Sequence, residues 1–390
     1  MFTQVYAIRK NEMPRPLYVA QPLVPDLKDF QVLLAKIWNT KILTNGGPLH
    51  QKLESELGHY LGVPTAMLFN SGTTALLVAL KLLDLPIGSE VITTPLTFAA
   101  TAHAIHWNGL TPVFVDVSPE TLTIDPASVK KAISSKTSAI LGVHVYGTVC
   151  DLDELQKIAT EYGIRLLYDA AHAFGTTVNG QPIGLFGDVS VFSFHATKLF
   201  NTAEGGLITT NRASDKEAIY YLRNFGIKNE EEVIAVGING KMNELQAALG
   251  LLNLPLVQEE RRRRALLREK YCEFLRPIPG ISLQVEQAGV SHAQQYFQIC
   301  IDPAVFGRSR DDIYLGLKKR GIFARRYFHP ICTDFKPYQG YTIHSVRSTP
   351  YVSIIKSQVL CLPFHSGVDD EDISDIRDEF LHGQTMATNH

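Results

Sequence analysis

The sequence predicts an α/β protein with a large domain built on a mostly parallel sheet and a smaller C-terminal α+β domain. Between residues 66 and 210, short continuous apolar segments alternate with helical segments. That pattern is typical of parallel strands covered by helices on both faces. Beyond residue 276, apolar and polar residues alternate instead, as in half-exposed strands. A chain of 390 residues is also long enough for two domains.

The elements of the large domain follow one another in a regular order. We predict strands over residues 66–69, 90–93, 112–116, 139–145, 165–169, 190–194 and 206–209. Helices fit between them over residues 73–83, 98–108, 126–134 and 151–162. An earlier helical period covers 26–39, and the Gly-Gly-Pro segment at 46–48 lies beyond its end.

The C-terminal region begins with a long helical stretch over 244–276. The small domain that follows is predicted to contain strands at 281–285 and 295–301 and helices at 310–319 and 370–381. Residues 1–25 are rich in proline and irregular, which indicates an arm and not a domain. The expected organisation is therefore an arm over 1–25, a large domain over 26–255 and a small domain over 256–390.

Composition excludes several classes of function. A formal net charge of −2 and a pI near 6.7 argue against binding to nucleic acid or to a membrane surface. The basic run at 261–264 follows two glutamates and fits a solvated helix face. The five cysteines are scattered and odd in number, which indicates reduced thiols in a cytoplasmic protein. No apolar run is long enough to predict a signal peptide or a membrane span.

Two predicted strands lead to chemically reactive side chains. The strand at 165–169 ends in Asp169, and the strand at 190–194 is followed closely by Lys198. An amine that forms a Schiff base, preceded by an acid that keeps a pyridine nitrogen protonated, is what pyridoxal 5'-phosphate (PLP) chemistry requires. A carboxylate about 4 Å from a cation contributes roughly 4 kcal/mol at an effective dielectric of 20. The alternative for Asp169 is a cap on the next helix.

Further residues around these strands fit the same cofactor. Gly72 and Thr73 open a helix after a strand, where backbone N–H groups bind anions such as phosphate. Ser193 offers another phosphate hydrogen bond, His172 a contact to the ring hydroxyl, and Phe98 a stacking surface. Each also has an ordinary structural interpretation. The Gly72–Thr73 segment fits a helix cap, Ser193 a turn, His172 a packed histidine and Phe98 a core residue. No dinucleotide or P-loop motif is present, and His103 and His106 have no partners for a metal site.

Four segments, taken together, resemble the DegT/DnrJ/StrS family of PLP-dependent nucleotide-sugar aminotransferases. The resemblance runs from about residue 43 to residue 363, and it implies the fold-type-I, aspartate aminotransferase-like architecture. The segments are Asn70-Ser-Gly-Thr-Thr-Ala-Leu76, Asp169-Ala-Ala-His172, Ser193-Phe-His-Ala-Thr-Lys198 and Gly237-Ile-Asn-Gly-Lys-Met-Asn-Glu-Leu-Gln-Ala-Ala248.

The resemblance implies roles for individual residues. Lys198 would attach the cofactor and carry the substrate proton, and Asp169 would pair with the pyridine nitrogen. Phosphate would be held by Gly72, Thr73 and Ser193, and by Asn239 from a neighbouring subunit, so that a homodimer shares its active sites. The residues that match the sugar-nucleotide pocket of the family are Thr44, Asn45, Arg325, Tyr327 and His329.

The resemblance also indicates the reaction. A dehydratase branch of the family has histidine in place of the lysine, so Lys198 favours transamination. The segments at 194–206 and 104–112 are most similar to the branch that aminates C4 of dTDP-4-keto-6-deoxy-D-glucose, with L-glutamate as donor. Amination at C3 and dehydration remain the alternatives, and a non-enzymatic regulator is disfavoured by the intact site. Products of this kind usually enter O-antigen, glycoprotein or antibiotic glycans.

Overall fold

A computed structural model of the chain describes residues 15–381. Its helices are, in chain order, α1 (Leu27–Thr40), α2 (Pro48–Leu61), α3 (Gly72–Leu82), α4 (Ala99–Trp107), α5 (Pro126–Ala132), α6 (Leu152–Tyr162), α7 (Asp215–Leu222), α8 (Glu244–Asn253), α9 (Val257–Leu275), α10 (Pro303–Phe306), α11 (Arg310–Lys319), α12 (Tyr351–Ile355) and α13 (Asp370–Leu381).

The strands are short, as expected for an α/β protein. They are β1 (Leu17–Tyr18), β2 (Thr65–Phe69), β3 (Glu90–Thr93), β4 (Thr111–Val115), β5 (Thr137–Val143), β6 (Arg165–Asp169), β7 (Thr177–Val178), β8 (Gln181–Pro182), β9 (Val189–Ser193), β10 (Gly206–Thr210), β11 (Ile281–Leu283), β12 (Val290–Ser291), β13 (Phe297–Ile301), β14 (Ile322–Phe323), β15 (Ile343–His344) and β16 (Val359–Leu362).

An eight-stranded sheet forms the centre of the large domain, in the order β15-β4-β3-β5-β6-β9-β10-β2. Neighbouring strands run parallel except at β10, which is antiparallel to both β9 and β2. Two large apolar clusters pack against the sheet. The predicted fold class is confirmed. Because the carboxyl ends of β2, β3, β5, β6 and β9 share one edge, side chains that follow these strands converge there.

Several elements differ from the predicted pattern for local reasons. The strand predicted to reach residue 145 ends at Val143, and a 3-10 turn over Val145–Gly147 follows it. The helical stretch predicted over 244–276 is split into α8 and α9 by a 3-10 turn at Leu254–Leu256. Pro255 lies in that turn and lacks the N–H that a continuous helix needs. Helix α2, which begins at Pro48, was not predicted.

The small domain is built on an antiparallel sheet in the order β11-β13-β16. Residues from α9, α11 and α13 pack on it in one apolar cluster. Strand β1, from the predicted arm, pairs in parallel with β14, whereas residues 1–14 of that arm lie outside the described residues. Strand β15, from the C-terminal region, extends the central sheet. The domain boundaries near residues 25 and 255 stay predictions.

The carboxylate of Asp116, just after β4, binds the segment 345–352 through hydrogen bonds and so attaches it to the large domain. It accepts hydrogen bonds from the backbone N–H groups of Tyr351 (2.8 Å) and Val352 (2.9 Å) and from the Ser345 hydroxyl (2.8 Å). Burial by itself raises the pKa of the Asp116 carboxyl, but these hydrogen bonds outweigh it and hold that pKa below its usual value. The buried charge therefore anchors the segment that follows β15.

We expect Asp116→Asn to lower the free energy of unfolding by about 3–5 kcal/mol, because buried donors would lose a charged acceptor. The measurement is a urea titration followed by circular dichroism. The matched control is Asp153→Asn, an exposed acid in the first turn of α6.

The loss of unfolding free energy caused by Asp116→Asn should also depend on pH. Because the folded-state pKa of Asp116 is depressed, its contribution is present above the unfolded pKa of about 4 and is lost as the pH falls through the folded value. The stability difference between wild type and Asp116→Asn should therefore shrink in acid. Equal stability of the two proteins at pH 7 would contradict the anchoring role.

Candidate active site

A cavity of about 420 Å³ opens at the edge of the central sheet where the parallel strands end. Two larger surface grooves, of about 820 and 650 Å³, contain none of the predicted site residues. Most of the predicted cofactor residues meet in the 420 Å³ cavity. Those that line it, together with one predicted substrate residue, are Gly72, Thr73, Phe98, Asp169, His172, Ser193, Lys198 and Tyr327.

Five predicted site residues do not line this cavity. They are exposed residues on three loops: the loop before α2, the loop before α8, and the segment after β14. In chain order they are Thr44, Asn45, Asn239, Arg325 and His329. A single chain therefore does not bring them together with Lys198, and their functional roles stay predictions.

Asp169, the last residue of β6, is held in a fixed orientation. Its Oδ2 accepts a hydrogen bond from Thr101 Oγ1 (2.7 Å), and its Oδ1 accepts one from the Ala171 N–H (3.1 Å). Burial raises the pKa of the Asp169 carboxyl, and the Thr101 and Ala171 hydrogen bonds and the nearby Lys198 ammonium oppose that rise. A cation bound in the cavity would lower this pKa and favour the carboxylate.

Lys198 lies in the loop after β9 and is half-buried. Burial lowers the pKa of its amine to about 8, against the opposing effect of Asp169. Its Nζ lies 5.8 Å from the ring centre of Tyr296. At pH 7, roughly a tenth of an amine with this pKa is unprotonated, far more than for an ordinary lysine. The side chain is therefore suited to nucleophilic attack on a carbonyl.

An anion site lies at the start of α3. The Ser71 hydroxyl caps the helix by accepting from the Thr74 N–H (3.1 Å), while the N–H groups of Gly72 and Thr73 have no hydrogen-bond partner within residues 15–381. A Cβ at Gly72 would lie 2.9 Å from the Ser193 Cβ, so only glycine permits this close approach. The free N–H groups and the Ser193 hydroxyl together form a candidate cradle, suited by its chemistry to an anion such as phosphate.

Aromatic side chains complete the walls of the cavity. The His172 Nδ1 accepts from the Tyr146 N–H (3.1 Å), which leaves the ring proton on Nε2, and burial lowers the pKa of this imidazole well below its usual value. The ring is nearly parallel to Phe328 (6°, 5.9 Å) and edge-on to Tyr296 (5.0 Å). The Phe98 side chain is 63% exposed at the cavity, so the core-packing alternative does not hold.

Some residues of the site were not predicted from the sequence. The His195 Nε2 lies 3.6 Å from Glu204 Oε1, and both residues lie in the polar segments around Lys198, where the sequence did offer a signal. Tyr296 lines the cavity from the segment before β13, and Thr101, which lies outside the cavity lining, donates to Asp169 across 68 positions. No local pattern pairs such residues, because tertiary packing alone brings them together.

The remaining predicted absences concern metals, disulfides and membranes. Among residues 15–381, no cluster of three or more His, Cys, Asp or Glu side chains is placed to hold a metal ion. His103 and His106 instead pack around Tyr338. All five cysteines are free thiols. Of the helices in the described part of the chain, none is both long and apolar enough to cross a membrane.

The sheet order, with a lysine close to its carboxyl edge, fits the aspartate aminotransferase-like fold class. Comparison with protein families extends this conclusion. Residues 26–381 match the DegT/DnrJ/EryC1/StrS aminotransferase family, and the chain belongs to that family. The predictions of family and of aminotransferase class are therefore confirmed.

Two relatives and one solved structure cover nearly the whole chain. The dTDP-4-amino-4,6-dideoxy-D-glucose transaminase of Escherichia coli is 42% identical over 356 residues, which are 90% of this chain and 95% of the relative. The Shigella dysenteriae protein of the same name is 43% identical over 359 residues, with 92% and 96% covered. The crystal structure of DesI in the presence of its TDP-sugar product has a TM-score of 0.87 at 36% identity and covers 96% of both chains.

Proposed function

We propose that the protein transfers the amino group of L-glutamate to C4 of dTDP-4-keto-6-deoxy-D-glucose, giving dTDP-4-amino-4,6-dideoxy-D-glucose, with PLP as cofactor. One observation carries this proposal: a chain 42–43% identical to two transaminases of that name has Lys198, Asp169 and the Gly72 cradle around a single cavity. The proposed reaction takes place in the cytoplasm, and the glycan that uses the product stays a prediction.

The cavity fits PLP by its chemistry. The cradle at Gly72, Thr73 and Ser193 suits the phosphate, because its N–H groups are free in the described part of the chain. Glycine at position 72 also leaves open the space beside Ser193 that a Cβ would occupy. Asp169 suits a protonated ring nitrogen, because its buried carboxylate is oriented but has no cation bonded to it among residues 15–381. When bound, PLP supplies an electron sink that stabilises negative charge on the substrate carbon.

The chain's own residues then perform distinct tasks. The Lys198 amine, with a pKa that burial lowers to about 8, would attach the cofactor and would afterwards carry the proton between the substrate carbon and the cofactor. Asp169 would keep the ring nitrogen protonated, and the His172 Nε2–H would be available as a hydrogen-bond donor to the cofactor. The exposed Phe98 ring would cover one face of the cofactor ring and exclude water from it.

The nucleotide-sugar pocket extends beyond one chain in this proposal. Tyr327 lines the cavity, and the nearby exposed Arg325 carries a guanidinium suited to a diphosphate. Thr44, Asn45 and Asn239 are exposed and lie outside the lining of their own chain's cavity. We infer that they complete the site of a second copy in a homodimer with two shared active sites.

The test of the proposed reaction follows the labelled nitrogen. Purified holoenzyme is incubated with ¹⁵N-labelled L-glutamate and dTDP-4-keto-6-deoxy-D-glucose, and in parallel with the 3-keto isomer. The expected result is ¹⁵N at C4 of the first sugar, with one 2-oxoglutarate released per product. Amination of the 3-keto sugar alone would favour the C3 alternative. A changed sugar without 2-oxoglutarate would favour dehydration.

Thr101→Val removes the hydroxyl that donates to Asp169 Oδ2. Because loss of a hydrogen bond to a charged group costs about 1.5–3 kcal/mol, the Asp169 pKa should rise and kcat should fall by roughly tenfold or more. The measurement is the pH profile of kcat, whose acidic limb should move to higher pH. Thr101→Ser keeps the donor and serves as the control. Superimposable profiles for Thr101→Val and wild type would rule out this support of Asp169.

A further inference from the structure

The side chain of Gln295 holds the backbone on both sides of Lys198. Its Oε1 accepts a hydrogen bond from the Leu199 N–H (2.7 Å), and its Nε2 donates one to the Thr197 carbonyl (3.0 Å). The Gln295 side chain is only 3% exposed. Both polar ends of one buried amide are thus used to fix the two peptide groups that flank the lysine.

Gln295 is itself held from the opposite side by a buried ion pair. Arg264 and Glu260, both in α9, are 1% and 4% exposed, and the Arg264 Nε donates to Glu260 Oε1 at 2.7 Å. The Arg264 guanidinium also donates to the carbonyls of Gln294 (3.3 Å) and Gln295 (3.4 Å). The ion pair therefore holds the backbone of Gln294 and Gln295, just before β13, in addition to the contacts that Gln295 makes with the Lys198 loop.

The residue after Gln295 contacts the active site directly. Tyr296 is buried, its ring lies 5.8 Å from the Lys198 Nζ, and it meets the His172 ring edge-on. The segment leads into β13 of the small domain. Gln295 and Tyr296 therefore connect the small domain to the backbone and to the amine of the lysine.

We propose that Gln295 is a positioning residue for Lys198, an inference that rests on the proposed function. The amine must alternate between cofactor attachment and proton transfer, and both steps require the loop to return to one geometry. Without the Gln295 amide, the Leu199 N–H and the Thr197 carbonyl lose their buried partner. A displacement of about 1 Å at the reacting group can cost roughly 100-fold in rate.

Two substitutions separate positioning from stability. Gln295→Met keeps a similar volume and removes both hydrogen bonds. Gln295→Glu keeps the acceptor for the Leu199 N–H but cannot donate to the Thr197 carbonyl. The matched control is Gln298→Met: Gln298 is also 3% exposed, lies in β13, and donates to the Cys300 sulfur (2.9 Å).

Three quantities are measured on each holoenzyme: kcat and KM, the pH midpoint of the visible cofactor absorbance, and the melting temperature. Gln295→Met should lower kcat roughly 10- to 100-fold with little change in KM, and should shift the pH midpoint. Gln295→Glu should move that midpoint upward, because an added carboxylate favours the protonated form of the lysine nitrogen that is attached to the cofactor. Gln298→Met should keep the wild-type kcat and midpoint, whatever its melting temperature.

The outcomes distinguish this inference from the proposed function. If Gln295→Met and Gln295→Glu both match Gln298→Met in kcat and in pH midpoint, the positioning role is wrong. If Gln295→Met does not fold, Gln295→Glu decides by the same two quantities. If the wild-type protein itself shows neither visible cofactor absorbance nor turnover, the proposed function fails, and the role of Gln295 fails with it.

Discussion

Lys198→Ala is expected to lower the transamination rate by on the order of 10⁴-fold or more, since the group that attaches the cofactor also carries the proton. Lys198→Arg should be equally inactive, because a guanidinium stays protonated and is not a nucleophile. The measurement is 2-oxoglutarate release from L-glutamate in the presence of the keto sugar. A circular dichroism spectrum like that of the wild type establishes that the fold is intact.

The matched control for this substitution is Lys216→Ala. Lys216 is an exposed lysine in α7, away from the cavity lining. Its replacement should leave the rate unchanged. Wild-type turnover by Lys198→Ala would remove the basis for the proposed mechanism, because no other lysine among residues 15–381 lines the cavity.

Asp169→Asn is expected to lower kcat by on the order of 10³-fold. A carboxylate about 4 Å from a cation contributes roughly 4 kcal/mol at an effective dielectric of 20, which corresponds to about three pKa units on the ring nitrogen. The amide keeps the shape of the side chain and an oxygen for the Thr101 hydroxyl, but it carries no charge. The measurement is kcat together with the melting temperature of the holoenzyme.

The control for Asp169→Asn lies near the other end of the same strands. Asp188, before β9, accepts from the Leu166 N–H (3.0 Å) and pairs with Arg165 and Arg212. Asp188→Asn should change stability and leave kcat close to that of the wild type. Equal kcat values for the two substitutions would show that the charge of Asp169 has no special role.

The parts of the site that are local in sequence were predictable. Asp169 and Ser193 each end a strand of continuous apolar residues, and Gly72 begins a helix directly after another strand. Parallel strands place such ends at one edge of a sheet, so the strand pattern alone indicates that these residues converge. The same reasoning places Lys198 there, because only a short loop separates it from β9.

The supporting contacts were not predictable, because they join distant parts of the chain. Gln295 reaches Leu199 across 96 positions, and Thr101 reaches Asp169 across 68. Strand β15 has only two residues, which are too few to show an apolar pattern in the sequence. It is a strand because it pairs with β4. Helix α2, by contrast, begins with a proline at its first position, which is a recognisable helix-start signal in the sequence.

The residues proposed to serve a neighbouring copy illustrate a second limit. Thr44, Asn45 and Asn239 were identified only through resemblance to a family, and they lie outside the cavity lining in a single chain. Nothing in hydrophobic period or turn chemistry indicates which residues serve a neighbouring copy. Such roles depend on the symmetry of an assembly, and a sequence pattern does not encode that symmetry locally.

The most direct test of the central claim is the visible absorbance spectrum of the purified protein with PLP. It is recorded first alone, then after L-glutamate, and finally after dTDP-4-keto-6-deoxy-D-glucose. Aminotransferase chemistry at Lys198 predicts a visible band that falls with glutamate and returns with the sugar, as the amino group is taken up and passed on. A protein that shows no visible band with PLP would contradict the role of Lys198 and the proposed function with it.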